Sequence, residues 1–344
     1  MIRICLAWFC LVVAALAACA GTAPAGARPR PNDLQSLTVY YENDLFTDTD
    51  RYYTSGVRLS WLSQDLEAKD VPAWAHATSD RLPWLRRDGW TNNLGLALGQ
   101  CIYTPEKTAR EVPDPKDRPY AGWLYGSVAL HHKNATRLHM LELTLGIVGP
   151  EALGEVAQNG VHDVRHLRKA KGWDHQLGTE PGLMLTYDYR QRLGTIGDPD
   201  GVAADLLSSL RLNAGNVLTA ATAGVTGRIG WNLPRDFHGS RIHASGYATP
   251  PADADTIATG RSFSLFLYAT AEGSAVAHNL FLDGNTFRDS PSVDRQPWVG
   301  GGELGAGCSW SRYRLTYSHV VRSKEFHTQD GAQQYGSICL SVSF

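Results

Sequence analysis

Cysteine is scarce in this chain, with six in 344 residues, and Cys5, Cys10 and Cys19 crowd the N-terminus. The remaining Cys101, Cys308 and Cys339 lie far apart, so neither a cysteine metal cluster nor a disulfide framework is indicated, and packing in strand walls is their expected role. Basic blocks are absent and the formal net charge is -2, which leaves nucleic acid without an electrostatic footprint. Beyond the N-terminal stretch no run approaches the ~20 apolar residues of a spanning helix. Catalytic signatures are missing too. There is no G-x-S-x-G elbow for an ordinary serine esterase and no H-E-x-x-H zinc helix.

What is present begins with "MIRICLAWFCLVVAALAACAGTAPAGARP", where Arg3 precedes an apolar stretch and a tail of small residues. This is the layout of a secretory signal, so residues 1–27 are expected to be removed, leaving a single mature domain over 28–344. The run "LAAC" ending at Cys19 offers a lipoprotein-type signal as the competing reading. At the other end "YGSICLSVSF" alternates Ile338, Leu340, Val342 and Phe344 against small polar residues. After a secretory signal, a last strand closing on an aromatic residue points to an outer-membrane barrel.

A barrel requires an even number of strands of ~9–11 residues with a two-residue period. Twelve candidates meet that demand: 36–45, 53–64, 92–103, 121–132, 137–148, 182–192, 204–214, 220–231, 262–273, 298–309, 311–322 and 335–344. The expected fold is therefore all-β, a twelve-stranded antiparallel transmembrane β-barrel. Trp123, Tyr125, Trp298, Trp310, Tyr313 and Tyr317 are expected to form interfacial girdles. The long connections 65–91, 104–120, 149–181, 232–261 and 274–297 are expected to be extracellular. One carries a short helix: "EALGEVAQNGVHDVRHL" follows Pro150, has early acids Glu151 and Glu155, and sets Gln158 and His162 four apart on one face.

The acidic run "ENDLFTDTDRYYTSGVRLSW" falls between the first two strands. Alternation places Asp44 with Tyr40 and Glu42 on the phase away from lipid, and Thr54 on the same phase of the second strand, so the two are expected to converge inside the barrel mouth. Asp44, Asp48 and Asp50 are hard oxygen donors of the kind calcium takes, although the glycine and closing glutamate of an EF-hand are missing. Histidine at neutral pH is a natural general base, and His162 is the one placed on the helical loop.

These residues carry a resemblance. "YENDLFTDTDRYYTSG", "GQCIYTPEKTAREVPDPKDRPYAGWLYG", "LGIVGPEALGEVAQNGVHDV", "GWDHQLGTEPG" and "YSHVVRSKEF…YGSICLSVSF" resemble, in order and spacing, the lipid A 3'-O-deacylases of the Gram-negative outer membrane. The resemblance spans essentially the whole mature chain. It implies calcium-dependent hydrolysis of the 3'-linked acyl ester of lipid A in lipopolysaccharide, in the outer membrane with its site at the outer leaflet; nothing in the sequence demands more than a monomer. It further implies Asn43 and Asp44 as an active-site pair with Asp44 at Ca2+, Thr54 as the hydroxyl that positions water or acts as nucleophile, Gln158 as polar neighbour and His162 as general base. Arg118 in "DRPYAG" matches a family arginine as a phosphate contact, with Lys107 and Arg110 as the alternatives on the same loop. Arg168 stands where the family sometimes has an acid, which leaves the calcium set open, with Glu180 and Glu142 as substitutes. Two other readings fit rim acids on a barrel: a non-catalytic channel or adhesin, and a calcium-dependent phospholipase.

Overall fold

A computed structural model describes residues 34–47, 49, 51–66, 90–198, 201–237, 239–242 and 263–344. The expected signal segment, Cys19, Asp48 and Asp50 lie outside the described residues. Twelve strands run in chain order: β1 (Ser36–Asn43), β2 (Tyr52–Leu62), β3 (Thr91–Thr104), β4 (Ala121–Lys133), β5 (Arg137–Val148), β6 (Glu180–Gly197), β7 (Val202–Gly215), β8 (Leu218–Trp231), β9 (Phe263–Asn279), β10 (Trp298–Trp310), β11 (Tyr313–Arg322) and β12 (Gln333–Ser343). Each pairs antiparallel with the next, and β1 closes on β12 from Ser36 opposite Ser343 to Asn43 opposite Gly336. Closure leaves no sheet edge, which is the only way strands satisfy their backbone groups in lipid.

The two-residue period separates the faces. Val57, Leu59, Leu96, Leu98, Leu143 and Leu145 are exposed on the outside, while Arg58, Ser60, Glu142 and Thr144 between them are buried. An apolar exterior of this kind is the lipid-facing band. Trp298, Trp310, Tyr313 and Tyr317 lie exposed as girdle residues should. Trp123 and Tyr125 do not. They point into the lumen, buried and stacked at 5.5 Å between ring centroids. Nearness to a strand end suggested a girdle, but register decides the face: on β4 the outward partner of Gln100 is Leu124.

The ends of the barrel also correct an expectation. In an up-and-down barrel the end at which a connection lies is set by strand parity, whatever its length. The connections after β2 and β8 therefore open at the end that carries the termini, not with the long connections after β3, β5 and β9. From that end residues 233–237 and 239–242 turn up into the lumen. Asn232 N–H bonds the Gly201 carbonyl at the base, Arg190 donates to the Phe237 carbonyl at 2.8 Å, and Ile242 N–H reaches Glu42 at 2.7 Å near the far end of β1. Ion pairs bind this segment to the walls: Arg228 with Asp236 at 2.5 Å, and Arg241 with Glu272 at 2.9 Å and Glu303 at 2.8 Å.

Above it, Tyr53, Tyr103, Trp123, Phe281 and Tyr335 fill the mouth. Phe281 belongs to a one-turn helix, α2 (Leu280–Asp283), whose Asn279 cap accepts from the Phe281 N–H at 3.1 Å; the alternation gave no sign of it. The helix expected in the β5–β6 connection is present as α1 (Gly154–Arg165).

Candidate active site on the outer wall

Three observations build the corner between β1 and β2. First, β1 ends at Asn43, which lies across from Ser55 in the register that also pairs Tyr41 with Val57 and Val39 with Leu59. Asn43 thus takes the lipid-facing phase. Second, Asp44 opens a 3-10 turn, Asp44–Thr47, and is fully buried. Its Oδ2 accepts the Arg51 N–H at 2.6 Å, its carbonyl accepts the Thr47 hydroxyl at 2.7 Å, and Asn43 Oδ1 accepts the Leu45 N–H at 2.8 Å. Third, β2 is irregular. Tyr52 has φ of 71°, and the β2–β3 register slips between Tyr53 and Ser55, so Thr54 is the extra residue of a bulge. Positive φ on a bulky residue stores strain, and bulges re-aim side chains at rims.

The bulge divides neighbours. Tyr53 points inward and donates to Glu42 at 2.7 Å. Thr54 instead meets Thr104, hydroxyl to hydroxyl at 2.7 Å, and Thr104 follows inward-facing Tyr103 on the outer phase shared by Ile102 and Gln100. The expectation that Asp44 and Thr54 converge inside the mouth is therefore corrected. Asp44 is in a turn, and one inserted residue transfers Thr54 to the outer side of the wall.

α1 lies against that same outer side. Pro150 does not start it as expected: Pro150–Ala152 form a 3-10 turn, Leu153 breaks the path at φ 58°, and only then does α1 begin. The outward Gln100 donates to the Ala152 carbonyl at 2.6 Å. Gly122 on β4 allows the approach, since a Cβ there would lie 3.1 Å from the Ala152 Cβ and 3.2 Å from the Gly154 nitrogen. Behind α1 a return segment folds back. The Trp173 indole donates to Gln158 Oε1 at 2.8 Å, Asn159 bonds Ala170 through both side-chain atoms, and His166 at φ 55° ends the helix. His162 is buried, and its Nδ1 lies 2.6 Å from the Arg168 carbonyl. Only N–H can face a carbonyl, so the proton is assigned to Nδ1 and Nε2 becomes the basic nitrogen of the neutral ring.

The expected residues sort into two groups. Asn43, Thr54, Gln158 and His162 share one outer surface. Asn43 faces Ser55, Ser55 faces Ile102, and Ile102 packs with Tyr120, Ala170 and Trp173 under α1. Lys107 and Arg110 are exposed on the β3–β4 connection, which the Lys171 N–H ties to the return segment through the Thr108 carbonyl at 3.0 Å. Arg118 is elsewhere. It is turned into the mouth, 4.8 Å over the Tyr103 ring and 3.2 Å from Glu325. Burial pushes the Glu325 carboxyl up, but the guanidiniums of Arg322 and Arg118 outweigh it and hold the group below the usual carboxylate range.

Glu142 and Glu180, the expected substitute ligands, each have partners of their own. Glu142 pairs with Arg58 inside the lumen at 2.8 Å, and the Glu180 carboxylate accepts the backbone N–H groups of Thr286 and Phe287. Among the described residues no group of three or more His, Cys, Asp or Glu is arranged to hold a metal ion. The sequence reading missed Thr104 and Trp173, the residues that position Thr54 and Gln158. Trp173 stood in a recognisable motif, but the indole contact is made by folding and has no signature of its own.

A closed twelve-strand barrel with an apolar outer belt and a polar cluster at its rim defines an outer-membrane β-barrel protein. The chain belongs to the family of outer membrane protein LpxR, whose profile matches residues 6–344. Among solved structures it is similar to LpxR from Salmonella typhimurium at 18% identity, TM-score 0.71, covering 89% of this chain and 99% of that one. More distant are the β domain of the Bordetella autotransporter BrkA, 11% identical over 90% and 98% of the two chains with TM-score 0.42, and an outer-membrane channel from Pseudomonas putida F1, 10% identical over 94% and 100% with TM-score 0.41. No curated protein matches the chain in sequence.

Proposed function

We propose that this protein hydrolyses the ester joining the 3' acyloxyacyl group to lipid A, at the face of the barrel wall that borders the outer leaflet. The observation that carries the reading is the placement of His162: buried, tautomer-assigned, on a helix seated against the lipid-facing side of β3 and β4. A membrane-embedded ester can approach this side without leaving the leaflet. In the proposed reaction Nε2 of His162 takes a proton from water as its oxygen adds to the ester carbonyl. The acyl carbon–oxygen bond then breaks, and the proton passes to the departing 3' oxygen, giving a carboxylic acid and a 3'-hydroxyl. Asn43 is the side-chain donor suited to the oxyanion. Thr54, held by Thr104, either positions the water or is itself the nucleophile.

The donors at the corner are all oxygens, which suits calcium in kind. The Asp44 carboxylate would hold the ion, and the ion would supply positive charge to the developing oxyanion.

The test is the mass of lipid A from cells expressing the chain. Loss of a 3' acyloxyacyl group is expected, and His162→Ala should slow it by about 10²–10⁴-fold. If correctly folded wild-type protein supplied with calcium leaves lipid A intact, the reading is wrong.

A further inference from the structure

The helix that carries His162 has a second face which none of the described residues covers. Gly154, Gln158 and His162 are buried against the wall and the return segment, but Leu153, Val156, Gly160, Val164 and Leu167 follow one another at helical spacing on the opposite side. Val156 is 68% exposed, Leu153 52% and Val164 50%. A Cβ added at Gly160 would have open space around it. An exposed apolar stripe on a short surface helix is costly in water, and two features say what covers this one.

The first is continuity with the barrel's lipid-facing belt. The α1 segment is fastened through Gln100, and the next outward position down β3 is Leu98, 61% exposed; Leu145 on β5 is 55% exposed. Leu153 and Val156 sit at this fastened end, so they extend the belt outward from the wall. The second is the charge beyond the other end. Arg168, Lys169 and Lys171 follow the stripe, Lys169 in an exposed ion pair with Asp163 at 2.9 Å and Lys171 in one with Glu111 at 3.3 Å, and basic residues at this position suit the phosphate-bearing headgroups that an interfacial helix meets as it leaves the acyl layer.

We infer that α1 is an interfacial membrane helix, whose Leu153–Val156–Gly160–Val164 stripe is seated among the acyl chains of the adjoining leaflet, deepest at its N-terminal end. On the proposed function, on which this part rests, that seating fixes His162 at the depth of the ester: the helix is gripped by the wall on one side and by lipid on the other.

Depth is measured directly. Single cysteines for spin labelling are placed at 153, 156, 160 and 164, with Glu155→Cys as the polar-side control, in protein carrying Cys308→Ser and reconstituted into dioleoylphosphatidylcholine vesicles. Labels at 153 and 156 should be accessible to oxygen and shielded from a water-soluble nickel chelate, those at 160 and 164 progressively less so, and the control open to the chelate. Equal chelate accessibility on both sides of α1 overturns the inference. The consequence for substrate is read separately. Val156→Glu should lower hydrolysis of vesicle-borne lipid A at least tenfold while leaving detergent-dispersed lipid A unaffected, and an equal loss in both refutes the positioning role. Absence of hydrolysis by the wild type in both media would count against the proposed function and leave the label depths to decide the helix's seat.

Discussion

His162 depends on a contact outside its own helix. The Arg168 carbonyl accepts Nδ1–H and so decides which nitrogen is basic. Gln158 is held in the same way by the indole of Trp173. Trp173→Phe should remove the indole donor to the buried Gln158 Oε1, at a cost of about 1–3 kcal/mol to local order, which hydrogen exchange of the α1 amides will register as faster opening. Arg118 belongs to a different device, the clasp with Glu325 across the mouth. Arg118→Ala should cost less than the about 3–5 kcal/mol typical of a broken buried pair, because Arg322 remains 3.0 Å from Glu325. The sign of the pH effect follows from the depressed Glu325 carboxyl. Its contribution is complete above the ordinary carboxylate value and is lost as pH falls through the lower folded value. The β11–β12 connection should therefore become protease-sensitive in acid, and Glu325→Gln should be sensitive already at neutral pH. At this scale the motifs pointed to Asn43, Asp44, Thr54, Gln158 and His162, of which the fold brings Asn43, Thr54, Gln158 and His162 to one outer surface, but alternation misjudged the face of Thr54. A bulge at Thr54 and a left-handed Tyr52 have no marker in the letters, because Tyr and Thr are ordinary strand residues.

Among the elements, α1 is the one whose position the chemistry needs, and its seat rests on backbone meeting backbone at Gly122 and Gly154. A side chain at 122 has nowhere to go. Gly122→Leu should lift α1 from the wall and abolish hydrolysis while the barrel still folds, seen as unchanged heat-modifiable migration in gels. An equal loss of barrel folding would mean that the glycine serves the strand and not the helix. Gly160 offers the opposite experiment. It sits in the helix interior with open space around it, so Gly160→Ala should strengthen α1 by up to about 1 kcal/mol, measured as greater amide protection. The existence of α1 was legible in its composition. Its start was not, since Pro150 heads a 3-10 turn and Leu153 intervenes. The return segment that clamps it has no periodicity to read, being held by a few side-chain contacts from Asn159, Gln158 and His162.

For the whole molecule, twelve strands and their closure could be read because alternation is a property of each strand alone, and lipid on one side makes it strict. The lumen could not be read. Residues 232–261 have the composition of an external loop, yet 233–237 and 239–242 enter the barrel, and what retains them is long-range pairing with Arg228, Arg190, Glu272, Glu303 and Glu42. This bears on the competing channel reading, since a conducting barrel needs a continuous aqueous path. Here the space below the aromatic mouth is crossed by charged side chains in mutual contact, leaving an internal cavity of about 140 Å³ bordered by Arg58, Glu142, Arg211, Glu272 and Arg322. Wild-type protein in planar bilayers should show no steady porin-like conductance. Arg241 is the hinge of the arrangement, because its guanidinium compensates two buried carboxylates at once. Arg241→Ala leaves Glu272 and Glu303 facing each other without it, a loss of about 3–5 kcal/mol that the inserted segment alone can relieve by withdrawing. Stepwise openings should then appear in the variant while the outer-wall site, on the other side of β1 to β4, keeps its activity. Steady conductance in the wild type would restore the channel reading. A silent Arg241→Ala variant, folded and inserted, would show that the lumen is closed by the walls themselves and not by the inserted segment.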